Sequence, residues 1–426
     1  MNVLLRSATL ADGSVTDVRI TGGTITEIAP DLAPHLASSP VGDPGGEDEE
    51  IIDLDGRLLL QSFAEPHAHL DKAFLSERIL NPTGDLMGAI RAMETHRHLI
   101  TVDDTIERAE RAVRLMVQNG TSLIRTHADT TTDNGLKSVE ALSEVRRRVR
   151  DVCAVQIVAL VSWPVTGSAG ANSRALLRDA LQAGADVVGG CPHLEGDSAA
   201  ANETLLGIAA EYGRDVDLHT DETLDPTVLA LADLAARVLA SGFPHRVTAS
   251  HCVSLVMQPE DRQREVAELV AAAGISVVAL PHTNLFLQGR QHQSAMPRAL
   301  TAVRALRAAG VNVCAGADNL QDPFNPMGRA DPLETASLMV MAAHLLPGDA
   351  LHAVSGAVRH AIHGTSGCLA VGEPANLVAL QASSVREALA FGPAGRLVFH
   401  GGRPVSGHFT KSTVHGSRDS HSDHVI

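Results

Sequence analysis

Aromatic side chains are scarce in this 426-residue chain, which holds one Trp, one Tyr and eight Phe. Any ring near a functional mouth therefore stands out. The five cysteines, Cys153, Cys191, Cys252, Cys314 and Cys368, are odd in number, scattered and free of any CxxC pattern. They read as reduced, mostly buried residues of a cytosolic protein rather than a disulfide framework. Long basic runs are missing too. With 50 acidic against 34 basic side chains, the formal charge of −16 argues against a nucleic-acid backbone as partner. No stretch approaches the roughly 18 uninterrupted apolar residues of a membrane span. The opening Met-Asn-Val-Leu-Leu-Arg reaches a charge too soon for a signal peptide. A cytoplasmic protein with no membrane partner is expected, and no internal repeat of short period is visible.

What the chain does have is apolar content, 44% of its residues, enough to bury one large barrel-type domain and a smaller appendage. Residues 2–9, 15–21 and 24–28 are short β-branched runs separated by Asp12-Gly13 and Gly22-Gly23, which predicts small antiparallel strands. Residues 32–49 read as a loop, and strand character resumes over 51–60. From 61 to about 365 short apolar strands alternate with helical stretches. Strands are expected near 62–69, 121–127, 153–161, 185–190, 215–220, 246–251, 275–280 and 311–317. Helices are expected over 102–118, 136–149, 174–183, 199–212, 226–241, 260–273, 295–309, 332–345 and 348–362. Eight strand–helix units predict an α/β fold, a (β/α)8 TIM barrel. A doubly wound open sheet would want a glycine-rich turn after its first strand, and none is there. Short strands return over 375–382 and 395–407. The economical arrangement pairs both chain ends in one β-sandwich. The expected units are 1–60 with 366–408 as the sandwich, 61–365 as the barrel, and 409–426, rich in Ser and His, as a disordered tail.

Phe63-Ala-Glu-Pro-His67-Ala-His69-Leu-Asp71 is the stretch around which this organisation turns. On a strand, residues two apart share a face, so His67 and His69 can share one metal ion. In a TIM barrel the C-terminal strand ends meet at a common mouth. There the sequence also places His219, His251 and Asp318. Imidazoles and a carboxylate suit a borderline divalent ion such as Zn²⁺ or Fe²⁺, and an open ligand position for water makes such a site catalytic. Bound water then supplies hydroxide near neutral pH. Asp318 can take the proton, and Glu222, three residues past His219, can shuttle one to the substrate. The bland alternative for Glu222 is a helix-start acid ahead of Leu229.

Further segments carry a resemblance: Glu65-Pro-His-Ala-His-Leu-Asp71, Arg125-Thr-His-Ala-Asp129, Gly184-Ala-Asp-Val-Val-Gly189 with Pro192-His-Leu-Glu195, His219-Thr-Asp-Glu222, Val247-Thr-Ala-Ser-His251, Leu287-Gln-Gly-Arg290 and Asp318-Asn-Leu-Gln-Asp-Pro323. Over nearly its whole length the chain resembles the cytosine deaminase-like members of the amidohydrolase superfamily. The resemblance implies that His67, His69, His219 and Asp318 bind a single divalent metal, that Glu222 is the proton shuttle, and that His251 stays off the metal and orients the attacking hydroxide. The carboxylated lysine that bridges two metals in other members has no counterpart, since no lysine lies between Lys137 and Lys411.

Departures from the resemblance concern the substrate. Val165 stands where bacterial cytosine deaminase has a glutamine that bonds the pyrimidine edge, and valine cannot make that bond. Asn319 replaces a second aspartate, His282 adds an imidazole past the seventh strand, and Phe324 replaces a tryptophan. Trp163, Phe286 and Phe324 offer faces for stacking. These changes point away from cytosine. The expected activity is hydrolysis of the exocyclic amine of a small nitrogen heterocycle, of pyrimidine, purine, pterin or triazine type, with release of ammonia. The alternative is hydrolysis of a substituted amine or cyclic amide on a similar ring, as the N-isopropylammelide enzymes perform. A non-catalytic scaffold of the same fold is disfavoured by the complete ligand set. A homo-oligomer formed through outer helices is compatible with the sequence.

Overall fold

The structure, a computed structural model, describes residues 2–34, 49–415 and 418–425, with backbone alone from 409 onward. Most of the loop expected over 32–49 lies outside the described residues. Five strands come first: β1 (Asn2–Thr9), β2 (Val15–Thr21), β3 (Thr24–Ala29), β4 (Glu49–Asp53) and β5 (Leu58–Gln61). The expected eight parallel strands follow: β6 (Phe63–Ala68), β7 (Thr121–Thr130), β8 (Ala154–Val161), β9 (Val187–Gly190), β10 (Asp215–Thr220), β11 (Val247–His251), β12 (Ser276–Ala279) and β13 (Val313–Ala315). They pair in chain order from β6 to β13. The chain ends supply β14 (Leu377–Leu380), β15 (Leu397–His400) and β16 (Arg403–Ser406).

Helices cover the outer face of the barrel strands and the barrel's own side chains fill the inner one, which is why those strands read as continuous apolar runs. The helix Val102–Gln118 matches its expected span. Thr101 caps it, accepting from the Asp104 amide. The helix expected over 295–309 shrinks to Val303–Ala308. Ala295 and Ala299 hold left-handed backbone (φ 48° and 53°), and Pro297 between them has no amide to donate, so no helix can run through. The helix expected over 348–362 is two, Pro347–Ala353 and Gly356–His363.

The barrel closes at its functional end. An isolated parallel bridge joins Ala68 to Asp318. The Asp318 amide donates to the His67 carbonyl at 3.1 Å, and the His69 amide to the Asp318 carbonyl at 3.2 Å. The seam that completes the barrel is thus made by candidate metal ligands.

Strands from both ends form one branched sheet in the order β16-β15-β14-β5-β1-β4, with β2 and β3 built on β1. It encloses a core of its own that includes Leu5, Ile20, Ile52, Leu59, Leu377 and Phe399. Residues 409–426, expected as a disordered tail, instead carry most of β17 (His408–His415) and β18 (Arg418–Val425). β17 pairs with β4 antiparallel. An edge strand offers open backbone groups, and a ladder on them needs no apolar side chains. Arg396 pins the sheet to the barrel through a two-pronged ion pair of 2.7 Å with Asp331, the cap of the helix Pro332–Ala343. Among the described residues no helix is long and apolar enough to cross a membrane.

Candidate active site

Strand periodicity aims His67 and His69 the same way at the end of β6, while β10 delivers His219 from across the barrel. The three Nε2 atoms face one point, 3.3 Å apart between His67 and His69 and 3.2 Å from each to His219. Asp318 brings Oδ1 to 3.3 Å from His69 Nε2 and 3.6 Å from His67 Nε2. Burial holds His67 and His219 well below the usual imidazole range, so their rings are neutral. Both Asp318 oxygens are buried without a hydrogen-bond partner. Converging imidazole lone pairs and an uncompensated buried carboxylate fit a divalent cation.

A buried chain of hydrogen bonds stands behind this group. His67 Nδ1 meets Ser250 Oγ at 2.9 Å, Ser250 donates to Asp217 Oδ1 at 3.0 Å, and Arg125 Nη1 donates to Asp217 Oδ2 at 2.8 Å. This order places the His67 proton on Nδ1 and frees Nε2 for the ion. His127 stacks on His67 with ring centres 3.8 Å apart. Glu65 accepts from the amides of His67 and Ala317, at 3.1 and 3.0 Å, and stitches β6 to the end of β13. Burial pushes its carboxyl up to about 8.

Glu222 lies on the loop after β10, buried, and that burial with nearby Asp318 raises its carboxyl well above the usual range. A shift in that direction favours the protonated, neutral acid. The helix-start role belongs to its neighbour Asp221, which accepts from the Ala230 and Leu231 amides at 2.8 and 3.0 Å. His251 bonds Asn284 Oδ1 through Nδ1 at 2.9 Å and points Nε2 inward, 3.7 Å from Glu222 Oε2. His251 and Asp318 both sit in left-handed backbone, φ 70° and 63°. Strain of that kind gathers at functional sites.

These groups floor a cavity of about 530 Å³. Trp163, Asn319 and Phe324 line it as expected, together with Leu86 and Ile90 of the helix Leu86–His96. Both polar ends of Asn319 are engaged, by Asp322 at 2.8 Å and Thr283 at 3.2 Å. Two expected substrate contacts are corrected. Val165 packs into the barrel core while its amide donates to Glu195, because an apolar side chain gains more there than at a polar mouth. His282 points at Thr335, 3.1 Å from its hydroxyl. On the helix Pro281–Leu287 it lies about 200° from Asn284, so the turn that aims Asn284 inward sends His282 out. Phe286 carries the Arg290 guanidinium 4.6 Å from its ring centre and is not in the cavity wall.

Sequence reasoning gave no role to Arg125, Asp217, Ser250 or His127. Asp217 and His219, two apart on β10, and Arg125 and His127, two apart on β7, carried a usable signal, since residues so spaced share a face. It also passed over the helix Leu86–His96 and the Asp129 carboxylate.

Comparison with known proteins agrees with this geometry. The amidohydrolase family's sequence model matches residues 75–406. A pterin deaminase of Rhizobium rhizogenes is 38% identical over 361 residues, covering 83% of this chain and 82% of that protein. The crystal structure of 5-methylcytosine deaminase from Klebsiella pneumoniae, liganded with 5-fluorocytosine, superposes with a TM-score of 0.83 at 31% identity, over 95% of this chain and 97% of that one. That of N-isopropylammelide isopropylaminohydrolase from Burkholderia multivorans gives 0.81 at 30% identity, over 96% and 98%. With its barrel, its histidine–aspartate cluster and this length of shared sequence, the chain belongs to the amidohydrolase family.

Proposed function

We propose that this protein is a metal-dependent aminohydrolase that removes the exocyclic amine of a small nitrogen heterocycle other than cytosine, with pterins the first candidates. The observation that carries this reading is Glu222, a buried acid facing His251 beside three converging imidazoles. The 38%-identical pterin deaminase supports the ring type.

His67, His69, His219 and Asp318 would hold one divalent ion, Zn²⁺ or Fe²⁺, which supplies an activated water when bound. Glu222 gives its proton to the ring nitrogen beside the amine-bearing carbon, making that carbon electrophilic. His251, its Nδ1 proton held by Asn284, presents the Nε2 lone pair to the water and orients it. Asp318 accepts the water proton, and the amine leaves as ammonia once protonated. Water adds, a C–N bond breaks and a carbonyl remains. A cytoplasmic setting accompanies the reading, in keeping with five unpaired cysteines. Release of an alkylamine is the second reading, favoured by the likeness to the N-isopropylammelide enzyme.

The test is ammonia release by metal-analysed protein from amino-substituted pyrimidines, purines, pterins and triazines, cytosine included. Ammonia from a ring other than cytosine, with about one metal per chain, is expected. Alkylamine alone would move the assignment to the second reading. Glu222→Gln should keep the metal and lose about 10²- to 10⁴-fold in kcat, and near-normal turnover would remove Glu222 from the mechanism.

A further inference from the structure

A charged cluster on the cavity wall plays no part in the steps above. One side-chain atom each of His69, Asp71 and Asp129 lie within 4.8 Å of one another, a grouping that would suit a second cation. The position is taken by the chain's own cation. The Lys72 ammonium hydrogen-bonds Asp129 Oδ1 and lies 3.5 Å from Asp71 Oδ1. Asp129 Oδ2 accepts from Arg97 Nη1 at 2.9 Å, and the Asp129 amide donates to Asp71 Oδ2 at 2.9 Å. Lys72 is only 3% exposed. Burial works against its charge, but Asp129 and Asp71 together raise it above the usual lysine range.

Lys72 and Asp129 both line the cavity, and neither has spent its hydrogen-bonding capacity. An ammonium has three N–H donors, and the two carboxylates face two of them. Each carboxylate oxygen has a second lone pair. The wall thus offers a fixed donor next to a fixed acceptor, close to His69. Phe324 supplies an apolar neighbour, its ring centre 5.9 Å from Lys72 Nζ.

We propose that Lys72 and Asp129 are specificity-determining residues that read a lactam edge of the substrate, the ammonium donating to the ring carbonyl and the carboxylate accepting from the adjacent ring N–H. This rests on the aminohydrolase reading and narrows it to rings with a C(=O)–NH unit beside the amine-bearing carbon. A ring with a second amine in place of the carbonyl presents a donor to the ammonium and leaves a buried group unpaired. Sites built on hydrogen bonds reject such analogues strongly. The pair also provides polar recognition in a cavity from which the Val165 side chain is withdrawn.

The experiment compares three lactam amines, pterin, guanine and isocytosine, with 2,4-diaminopteridine, 2,6-diaminopurine and 2,4-diaminopyrimidine. Wild-type kcat/KM should favour the lactam member of the pair it accepts by about 100-fold or more. Lys72→Met and Asp129→Asn, each checked for metal content and circular dichroism, should bring that ratio to within about tenfold. Equal turnover of lactam and diamino partners by wild type would overturn the assignment, and so would a metal-replete variant that keeps the full preference. If Lys72→Met fails to fold, Asp129→Asn and the wild-type ratio still decide. Ammonia from another ring of the wider panel but from none of these six would overturn the lactam assignment alone, whereas ammonia from no ring at all would sink the aminohydrolase reading and the lactam assignment with it.

Discussion

Ser250 has no charge and touches no substrate, yet it stands between Asp217 and the ring of His67. Replacing it with alanine removes the acceptor that keeps the His67 proton on Nδ1. Ser250→Ala should therefore bind metal about 10- to 100-fold more weakly, and, because it also strips a donor from buried Asp217, the metal-free protein should lose about 1–3 kcal/mol of stability. Metal titration of the two proteins checks this, and equal affinities would mean that His67 needs no such support. Arg125 is a different case, because its partner Asp217 is fully buried. Arg125→Met leaves that carboxylate without its cation, with Ser250 still donating to Oδ1, and should cost about 3–5 kcal/mol, measured by chemical denaturation. At this scale the candidate ligands His67, His69, His219 and Asp318 were legible, since strand ends and two-residue spacing mark the group and the family resemblance sets these four apart from His251. Val165 and His282 were not, because a local helix turn or a preference for the core, and not the spacing, decided where they point.

Among the elements, long periodic helices such as Val102–Gln118 announce themselves in the sequence. Pro281–Leu287 has only seven residues and starts directly after β12, too short for a periodic pattern to form. Its task is nonetheless specific: Asn284 fixes the His251 tautomer. Asn284→Ala should lower kcat with metal content unchanged, and a wild-type rate would show that His251 is oriented without it. In the terminal sheet the core ring Phe399 is fully buried. Phe399→Ala should destabilise by about 3–5 kcal/mol, read by calorimetry, and leave the metal site filled. That the two ends share a sheet was visible from matching short strands and Gly-Gly turns. The pairing of β17 with β4 was not, because it uses backbone groups that every sequence has.

For the molecule as a whole, the candidate ligands sit on β6 and just past it, on β10 and just beyond β13, so a bound ion would tie opposite walls and the closing seam together. Chelation should lower the melting temperature, and one equivalent of metal should restore it. At free metal one hundred times Kd the linkage is about 2.7 kcal/mol. An unchanged melting point would place the ion outside the barrel's stability.

Because β5 pairs with β14, Gln61 lies beside Leu377 across more than three hundred residues of intervening chain. During synthesis the first five strands emerge with half of their sheet still unmade. Every residue of the barrel must leave the ribosome before β14 arrives. In that interval the N-terminal strands have only one another to pair with, through β1, and β5 keeps an open edge until the far end of the chain arrives to cover it.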